Sequence, residues 1–367
     1  MNRKMQSEDV ASSTFWRNRR CLVTGHTGFK GSWLALWLCE LGAQVTGLSL
    51  PPESEPNLFD QLSLDRRLDH RIGDIQDPEL LKALVTETKP EVVLHLAAQP
   101  LVRRSYQEPA ATWSTNVMGT IHLLEALRTL QQPCSAVLIT TDKVYLNNEW
   151  LYGYRENDPL GGHDPYSSSK AAAEIAIASW RSSFCGMSSH QTPHLSVASA
   201  RAGNVIGGGD WAVDRIVPDA MRALSRGEPI GVRNPGATRP WQHVLEPLGG
   251  YLRLAENLSS SVELAGAFNF GPQLEANRPV RELVEEALRH WPGHWQDQSD
   301  PSAPHEASLL NLVIDKAHHQ LGWAPRWDFA TTVERTVNWY RRVQQGQASA
   351  LECCLDDIAA YLTPSAA

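Results

Sequence analysis

The sequence predicts an α/β fold, in which a doubly wound parallel sheet is joined to a smaller C-terminal domain. Apolar segments of strand length alternate with longer helix-like segments over residues 20–200, and a glycine-rich turn joins the first strand to the first helix. This alternation degrades after residue 203, where glycine and proline become dense. Strands that alternate with helices are typical of parallel sheets covered on both faces.

The element boundaries follow from the apolar runs and their flanking turn residues. A strand at 20–24 leads through a turn at 25–31 into a helix at 32–41. The next elements are expected to be a strand at 44–50, a helix opening at Pro78, a strand at 91–98, a helix at about 109–130, a strand at 136–141, a helix from Tyr166 to about 185 and a strand near 195–200.

A later strand at 267–272 has the length and alternation to return to the main sheet. We therefore predict a first domain over 15–203, completed by that strand, and a second domain over 204–360, with a boundary that is not clean.

The composition limits the kinds of partner. The chain has 367 residues, of which 42% are apolar, enough for a core in each of about two domains. Lys and Arg number 33 against 41 acids, and the net charge of -8 disfavours nucleic acid or an anionic membrane as the main partner. A small-molecule ligand is expected instead.

The cysteines and the apolar runs predict the compartment. Six cysteines are scattered without a CxxC pair or a metal-ligand spacing, which is typical of reduced thiols and predicts neither disulfides nor a metal site. Residues 1–20 lack the apolar run of a signal peptide, and no stretch of about 18 apolar residues occurs. We expect a soluble cytoplasmic protein.

The turn at 25–31 reads GHTGFKG and predicts a dinucleotide site in a Rossmann-type sheet. Glycines at a strand–helix junction let backbone N–H groups approach a pyrophosphate at the positive end of the helix. The spacing is GxxGxxG rather than GxGxxG, and a purely structural glycine turn is the alternative interpretation.

The end of the second strand bears on the type of cofactor. It carries neither the acid that binds a ribose 2′-hydroxyl nor a base for a 2′-phosphate, and the missing base favours NAD. Ser49 could bind the ribose, whereas Glu53 lies far along the loop. Asp74, after a short strand, could accept the adenine amino group, or could instead be an acid at the N-terminus of the helix that opens at Pro78.

Two further motifs suggest proton chemistry. Tyr166 and Lys170 are four residues apart at the start of a helix, so that they share a face, and the ammonium could lower the pKa of the phenol. A solvated helix face is the alternative. The run 140–143 reads TTDK at the carboxyl end of a predicted strand, where ligands bind in open α/β sheets, although a polar strand end is also an ordinary turn signal.

Taken together, these motifs resemble the extended short-chain dehydrogenase/reductase family of nucleotide-sugar enzymes, and within it the 4,6-dehydratases. The resemblance covers nearly the whole chain, through VTGHTGFKGSWL, HLAAQPLVRRSY, STNVMGT, TTDKVY, YREND, GGHDPYSSSK, ARAGNVIGGGDW and ATRPWQHVLEP. The wider dehydratase family has Thr-Asp-Glu where this chain has Thr-Asp-Lys, the variant of the branch that acts on CDP-glucose.

The resemblance implies a role for each candidate site residue. The implied catalytic residues are Thr141, Asp142, Lys143, Tyr166 and Lys170. The implied NAD contacts are Gly25, His26, Gly28, Phe29, Lys30, Gly31, Asp74, Ile75, Leu96, Ala97, Ala98, Thr140, Tyr166 and Lys170. The implied substrate contacts are Gln99, Arg103, Ser105, Asn204, Arg215, Arg239 and Arg278, whose guanidinium groups suit a diphosphate.

The same resemblance implies an internal redox cycle: oxidation at C4 of the sugar, loss of water across C5 and C6, and return of the hydride to C6. Tyr166 would take the C4 hydroxyl proton, Thr141 would bind the C4 oxygen, Asp142 would protonate the departing hydroxyl, and Lys143 would act at C5 as a base or an electrostatic stabiliser. A 4-epimerase and a catalytically silent dinucleotide sensor are the alternatives. A homodimer or higher homo-oligomer is expected, with the helices at 109–130 and 166–185 as a possible face.

Overall fold

The computed structural model describes residues 11–186, 192–299 and 309–363. The strands of this part of the chain are β1 (Arg20–Thr24), β2 (Gln44–Ser49), β3 (Asp69–Ile72), β4 (Val92–His95), β5 (Cys134–Ile139), β6 (Leu195–Ala202), β7 (Val205–Ile206), β8 (Ile230–Val232), β9 (Thr238–Pro240), β10 (Gln242–His243), β11 (Ala267–Phe270), β12 (Asn277–Pro279) and β13 (Trp295–Asp297).

The α-helices in the same ranges are α1 (Ser13–Trp16), α2 (Phe29–Glu40), α3 (Leu58–Gln61), α4 (Pro78–Thr88), α5 (Val102–Gln107), α6 (Pro109–Trp113), α7 (Gly119–Leu127), α8 (Pro165–Phe184), α9 (Ile216–Arg226), α10 (Leu245–Leu258), α11 (Val280–His290), α12 (Asp315–Leu321), α13 (Phe329–Gln344) and α14 (Ala350–Leu362). None of these helices is long and apolar enough to cross a membrane.

Seven parallel strands form the central sheet in the order β11-β6-β5-β4-β1-β2-β3. The direction of winding reverses between β1 and β4, so the loops that follow these two strands diverge and leave a crevice at the carboxyl edge. The predicted Rossmann-type doubly wound sheet is confirmed. The late strand is also confirmed, because β11 pairs with β6, with Ala267 opposite Ser199.

Alternate residues of the strands enter two hydrophobic clusters, one on each face of the sheet. In β1, Cys21 and Val23 belong to the first cluster and Leu22 to the second, as the twofold repeat of a strand requires. The first cluster also buries several tryptophans completely, including Trp16 and Trp33. Aromatic packing therefore accounts for part of the high tryptophan content.

Among the described residues after β6, β10 pairs with β7, β12 with β9, and β13 with β8 in two-stranded sheets, while β11 belongs to the central sheet. This part of the chain shares the first cluster with the N-terminal part: Trp33 on α2 donates a hydrogen bond from Nε1 to the carbonyl of Gly208 at 2.9 Å. A Cβ at Gly208 would lie 2.0 Å from the ring of Trp339 on α13. The division at 203/204 stays a prediction, and one core runs through both sides of it.

Two helix boundaries differ from the sequence-based expectation. α2 begins at Phe29, three residues earlier than expected, because Gly28 already acts as its extended N-cap. The helix expected at about 109–130 is α6, a π-helical turn at Ser114–Met118, and α7, which ends at Leu127.

Candidate active site

The candidate residues gather where β1, β4 and β5 end. The glycine turn follows β1, Leu96 and Ala97 follow β4, and Thr141 and Asp142 follow β5. The backbone joins the first two loops, because Leu96 N–H donates to the carbonyl of Thr24 at 3.1 Å. This edge is where a doubly wound sheet binds its ligand.

The three glycines of the turn have different surroundings. Gly25 has φ of +77°, and a Cβ there would lie 2.6 Å from the backbone nitrogen of Ala97. A Cβ at Gly31 would lie 2.0 Å from the carbonyl oxygen of Gly25. Gly28 is exposed, and its Cβ would meet only that same oxygen, at 3.4 Å. Gly25 and Gly31 therefore allow the close backbone contacts within the turn, whereas Gly28 leaves open space beside it.

The N-terminus of α2 fits the pyrophosphate of a dinucleotide. Its N-cap, Gly28, supplies no side-chain hydrogen bond, and its first turn contains no acid. The first N–H groups of a helix have no partner within the helix and carry partial positive charge. Phe29, Lys30 and Gly31 present such groups next to the open space at Gly28, so the residues present fit the predicted cofactor.

The residues near the end of β2 make contacts within the protein. Ser49 Oγ hydrogen-bonds with Thr27 Oγ1 at 2.7 Å, which places a pair of hydroxyls between the glycine turn and β2. Glu53 forms an ion pair with Arg104 at 3.0 Å. Glu53 lies far along the loop after β2, and its carboxylate is bound there by a residue of α5.

Asp74 and Ile75 form the turn after β3. The Asp74 carboxylate accepts hydrogen bonds from the N–H of Gln76 at 2.9 Å and from its side-chain amide at 3.2 Å. Asp77 is the N-cap of α4, so Asp74 is not the helix-terminal acid of the alternative interpretation. Ile75 is buried against Gly119, where a Cβ would lie 2.5 Å from its Cδ1.

His26 points away from the surface of the glycine turn. Its Nε2 lies 2.7 Å from Nδ1 of His70, and its ring fills the space that a Cβ on Gly47 would occupy. Burial lowers the pKa of His26 to about 4. In this structure, His26 is therefore a neutral packing residue between the turn and β2.

Thr141, Asp142 and Lys143 form a tight turn after β5. Thr141 Oγ1 donates to Asp142 Oδ1 at 2.9 Å and accepts from the N–H of Lys143 at 3.4 Å. Asp142 is 4% exposed, and burial raises the pKa of its carboxyl although Lys143, Lys30 and Arg239 act against the shift. A carboxyl that keeps its proton to higher pH suits a general acid.

Tyr166 lies in the first turn of α8, whose N-cap is Asp164. Its backbone N–H donates to Ser105 Oγ at 3.1 Å, and its side chain is buried. Burial raises the pKa of the phenol to about 12, Asp142 adds to this rise, and Thr141 and Arg215 oppose it. The strand-end turn and the helix therefore bring an acid and a phenol together.

The expectation that Lys170 lowers the pKa of Tyr166 is wrong for this structure. Lys170 Nζ donates to the carbonyl oxygen of Ile139 at 3.4 Å, and burial of the phenol outweighs the positive charges near it. Burial also lowers the pKa of Lys170 to about 8. The four-residue spacing placed both side chains on the buried face of α8, but the ammonium turns to β5.

Two implied substrate contacts have their hydrogen bonds occupied by the fold. The Gln99 side chain donates to the carbonyl of Leu101 at 3.1 Å and to Thr112 Oγ1 at 2.9 Å, and accepts from Leu101 N–H. Ser105 Oγ donates to the carbonyl of Val102 and accepts from Tyr166 N–H. Both residues position the loop after β4 and the start of α8.

The implied arginine contacts separate into an inner and an outer group. In the inner group, the positive charge of Arg215 opposes the rise in the pKa of Tyr166, and that of Arg239 opposes the rise in the pKa of Asp142. Arg278 lies directly opposite Arg239 in the antiparallel pair β9–β12, so both side chains emerge on one face. Arg103 lies at the rim, with Asp214 at 3.3 Å.

Asn204 follows β6 next to Gly203, where a Cβ would lie 2.6 Å from Asp142 Oδ2. Gly203 was not predicted from the sequence as a site residue. Neither was Asn116, whose amide donates to the Gln99 carbonyl at 3.2 Å and to Ser169 Oγ at 2.9 Å. Glu174 was not predicted either, although it follows Lys170 at the same four-residue spacing that separates Tyr166 from Lys170. Within the described ranges, no cluster of His, Cys, Asp or Glu could hold a metal ion.

Comparison with known proteins identifies the family. The family model described as GDP-mannose 4,6 dehydratase matches residues 22–336. A CDP-glucose 4,6-dehydratase of Salmonella typhimurium is 46% identical over 96% of this chain and 99% of its own length. A dTDP-glucose 4,6-dehydratase of Streptomyces antibioticus is 32% identical over 87% of this chain and 92% of its own length.

Solved structures show the same fold. A dTDP-glucose 4,6-dehydratase from Bacillus anthracis, in complex with NAD, has a TM-score of 0.71 at 22% identity, covering 89% of this chain and 98% of that one. A UDP-glucose 4-epimerase from Thermotoga maritima has a TM-score of 0.75 at 22% identity, covering 88% and 99%. The predicted family and the predicted enzyme class, a hydro-lyase, are confirmed by these matches. The chain belongs to the GDP-mannose 4,6-dehydratase family, within the extended short-chain dehydrogenase/reductases that its motifs resemble.

Proposed function

We propose that the protein converts CDP-D-glucose to CDP-4-keto-6-deoxy-D-glucose, with NAD as a cofactor that is regenerated in every turnover. The observation that carries this proposal is the convergence of Thr141, Asp142 and Lys143 with Tyr166 at the end of β5. The relative that is 46% identical over nearly the full chain, a CDP-glucose 4,6-dehydratase, supports the nucleotide.

The residues that would hold NAD are the first turn of α2, Gly28 and the loops that follow β3 and β4. The open space at Gly28 and the uncapped helix end support this assignment. The lack of a basic residue at the end of β2 favours NAD over its 2′-phosphorylated form. The chemistry that NAD would supply when bound is acceptance of a hydride from C4 of the sugar and its later return to C6.

Oxidation needs a base for the C4 hydroxyl proton, and Tyr166 is assigned this role. Its phenol lies beside Thr141, whose hydroxyl would bind the C4 oxygen. Arg215 opposes the rise that burial causes in the pKa of the phenol, and so would favour the phenolate. The proton would pass from the sugar hydroxyl to the phenolate oxygen as the hydride leaves C4 and the ketone forms.

Elimination follows because the C4 ketone makes the C5 hydrogen acidic. Lys143 would take that proton as a neutral amine and would return it to C5 when the hydride returns to C6. If Lys143 is instead an ammonium, it would only stabilise the enolate, and another group would have to take the C5 proton. Asp142 would give its proton to the C6 hydroxyl, which leaves as water. Burial raises the pKa of the Asp142 carboxyl and so favours the protonated form that this step requires.

Arginines would bind the diphosphate of the nucleotide. Arg239 and Arg278 are neighbours across β9 and β12, and Arg215 lies beside Tyr166. Guanidinium groups bind phosphate oxygens through paired donors. The arrangement would hold the sugar between the arginines and the catalytic turn.

A 4-epimerase would use the same Tyr166 and Lys170 but would not need an acid and a second amine for the loss of water. The experiment is therefore incubation of the purified protein and NAD with CDP-, dTDP-, GDP- and UDP-glucose, followed by mass spectrometry for loss of water and nuclear magnetic resonance for the configuration at C4. We expect loss of one water, fastest from CDP-glucose. Inversion at C4 without a change of mass would support the epimerase, and unchanged substrates throughout would support a silent sensor.

A further inference from the structure

Glu174 is a buried carboxylate that none of the proposed catalytic steps uses. It lies four residues after Lys170 on α8 and is 2% exposed. It accepts three side-chain hydrogen bonds, from Thr140 Oγ1 at 2.6 Å, from Ser199 Oγ at 2.8 Å and from Arg201 Nη2 at 2.8 Å. A carboxylate with three donors is an organised site rather than an accident of packing.

The contacts of Glu174 and Lys170 fasten α8 to the end of β5. Lys170 Nζ donates to the carbonyl of Ile139, and Glu174 accepts from the side chain of Thr140, the next residue. Two consecutive residues of the chain are therefore held by two side chains one helical turn apart. The catalytic turn that begins at Thr141 follows directly.

Glu174 also supplies a negative charge to a positively charged neighbourhood. Lys170 faces Glu174 on its own helix, the imidazole of His95 on β4, the ammonium of Lys30 on α2 and the carbonyl of Ile139 on β5. Burial lowers the pKa of Lys170 to about 8, and Glu174 opposes this shift.

Arg201 on β6 keeps the Glu174 carboxylate ionised. The guanidinium, together with Thr140 and Ser199, lowers the pKa of Glu174 in spite of burial. Arg201 is itself held in place, because Nη1 donates to Tyr145 Oη at 2.8 Å and to the carbonyl of Glu156 at 3.0 Å.

We propose that Glu174 is a positioning residue: by binding Thr140 it holds α8 against the end of β5 and so keeps the Lys170 ammonium at the Ile139 carbonyl, with Arg201 as the counter-ion of the Glu174 carboxylate. Glu174 would have this effect on the charge and position of Lys170 in the protein without its ligands. The proposal therefore rests on the proposed function only where bound cofactor is used as a second readout.

The test measures the titration of Lys170 directly. Trace acetic anhydride labels neutral amines. Mass spectrometry follows the labelling rate of the Lys170 peptide as a function of pH, and this rate gives the fraction of Lys170 that is neutral. In Glu174→Gln, the midpoint should fall by about one pH unit, the lower end of the effect of a close opposite charge. At pH 7 the labelling rate should then rise about fivefold, from the corresponding change in the neutral fraction.

Ser199→Ala is the matched control, because it removes one hydrogen bond to Glu174 and leaves the charge. Its midpoint should stay at the wild-type value. An unchanged midpoint in a folded Glu174→Gln protein, with circular dichroism like that of the wild type, would overturn the proposal. If that variant fails to fold, the double variant Glu174→Gln, Arg201→Gln removes both buried charges. Its Lys170 midpoint is then compared with that of the wild type, and an unchanged midpoint would again overturn the proposal.

NADH binding followed by fluorescence is the second readout. Binding that needs the charged lysine should weaken at a lower pH in Glu174→Gln than in the wild type. Absence of NADH binding by the wild type would overturn the proposed cofactor, while the labelling titration would still decide the role of Glu174.

Discussion

Burial shifts the pKa of four side chains at the carboxyl end of β5. The pKa values of the Asp142 carboxyl and the Tyr166 phenol are raised, and those of Lys30 and Lys170 are both lowered to about 8. In each case, burial favours the neutral form. The neutral Asp142 carboxyl suits the proposed proton transfer to the C6 hydroxyl, whereas the two amines, with pKa values of about 8, remain mostly charged at pH 7.

Spacing along the sequence could predict part of this arrangement. Thr141 and Asp142 end a strand and Tyr166 begins the next helix, so topology alone brings them to one edge. The direction of Lys170 could not be predicted, because its partner is the backbone carbonyl of Ile139, which has no signature in the sequence. The same holds for Gln99, whose partners are set by the path of its own loop.

Replacement of Tyr166 tests the proposed base. Tyr166→Phe removes the phenolic oxygen and keeps most of the packing, so turnover of CDP-glucose should fall by about 10²-fold or more while the protein stays folded. Steady-state kinetics and circular dichroism measure both outcomes. Tyr152→Phe, at an exposed position, is the control and should leave turnover unchanged. Near-normal turnover of Tyr166→Phe would assign the residue to structure.

Lys143→Met should separate oxidation from loss of water. Without the amine, C4 oxidation can proceed but the C5 proton is not removed, so enzyme-bound reduced cofactor should accumulate. Stopped-flow absorbance in the reduced nicotinamide band measures this. Lys82→Met, on the exposed side of α4, is the control. Dehydration at the wild-type rate without a reduced-cofactor signal would show that Lys143 takes no part in elimination.

At the scale of elements, patterns of apolar residues predicted which segments are strands, although β4 ends at His95 rather than at 98 and β5 spans Cys134–Ile139 rather than 136–141. The first strand has the predicted bounds, because the apolar residues 21–23 lie between the polar residues Arg20 and Thr24. The helix at about 109–130 was predicted as one element, since its periodicity does not reveal the π-helical turn at Ser114–Met118. That turn contains Asn116, which binds the loop after β4.

The glycine turn and α2 provide a paired prediction. Gly31→Ala places a Cβ 2.0 Å from the Gly25 carbonyl oxygen, so it should lower the free energy of unfolding and abolish NADH binding. Gly28→Ala adds a methyl group in open space with an ordinary backbone conformation, so it should preserve stability and weaken NADH binding alone. Urea unfolding and fluorescence titration distinguish these results. Equal NADH affinity in Gly28→Ala and the wild type would argue against a pyrophosphate at Gly28.

At the scale of the whole molecule, the proposed cycle leaves the cofactor unchanged. CDP-glucose deuterated at C4 should therefore give product labelled at C6, without net consumption of NAD. Nuclear magnetic resonance of the product and absorbance of the solution measure the two quantities. Deuterium in free NADH, with stoichiometric accumulation of reduced cofactor, would instead indicate a simple dehydrogenase.

The expected homodimer has a candidate face on the helices around 109–127 and on α8. Trp113, Met118 and Ile175 are apolar and exposed, and Ile175 is 60% exposed. Ile175→Glu should weaken association by placing a charge in an apolar interface, and light scattering after size exclusion measures the mass. Leu274→Glu, at a 70% exposed position outside these helices, is the control. An unchanged oligomer in Ile175→Glu would exclude α8 from the interface.

The indole of Trp33, bonded to Gly208 and packed in one core with α13, has a consequence for how the enzyme turns over. A hinge that opened the C-terminal part away from the sheet would have to break this bond and expose the aromatic side chains around it to water. Domain closure of the kind seen in hinged enzymes is therefore disfavoured. Substrate arrival and product departure should depend on the loops at the rim, so their rates should respond to changes near Arg103 and Asp214 rather than to changes between the domains.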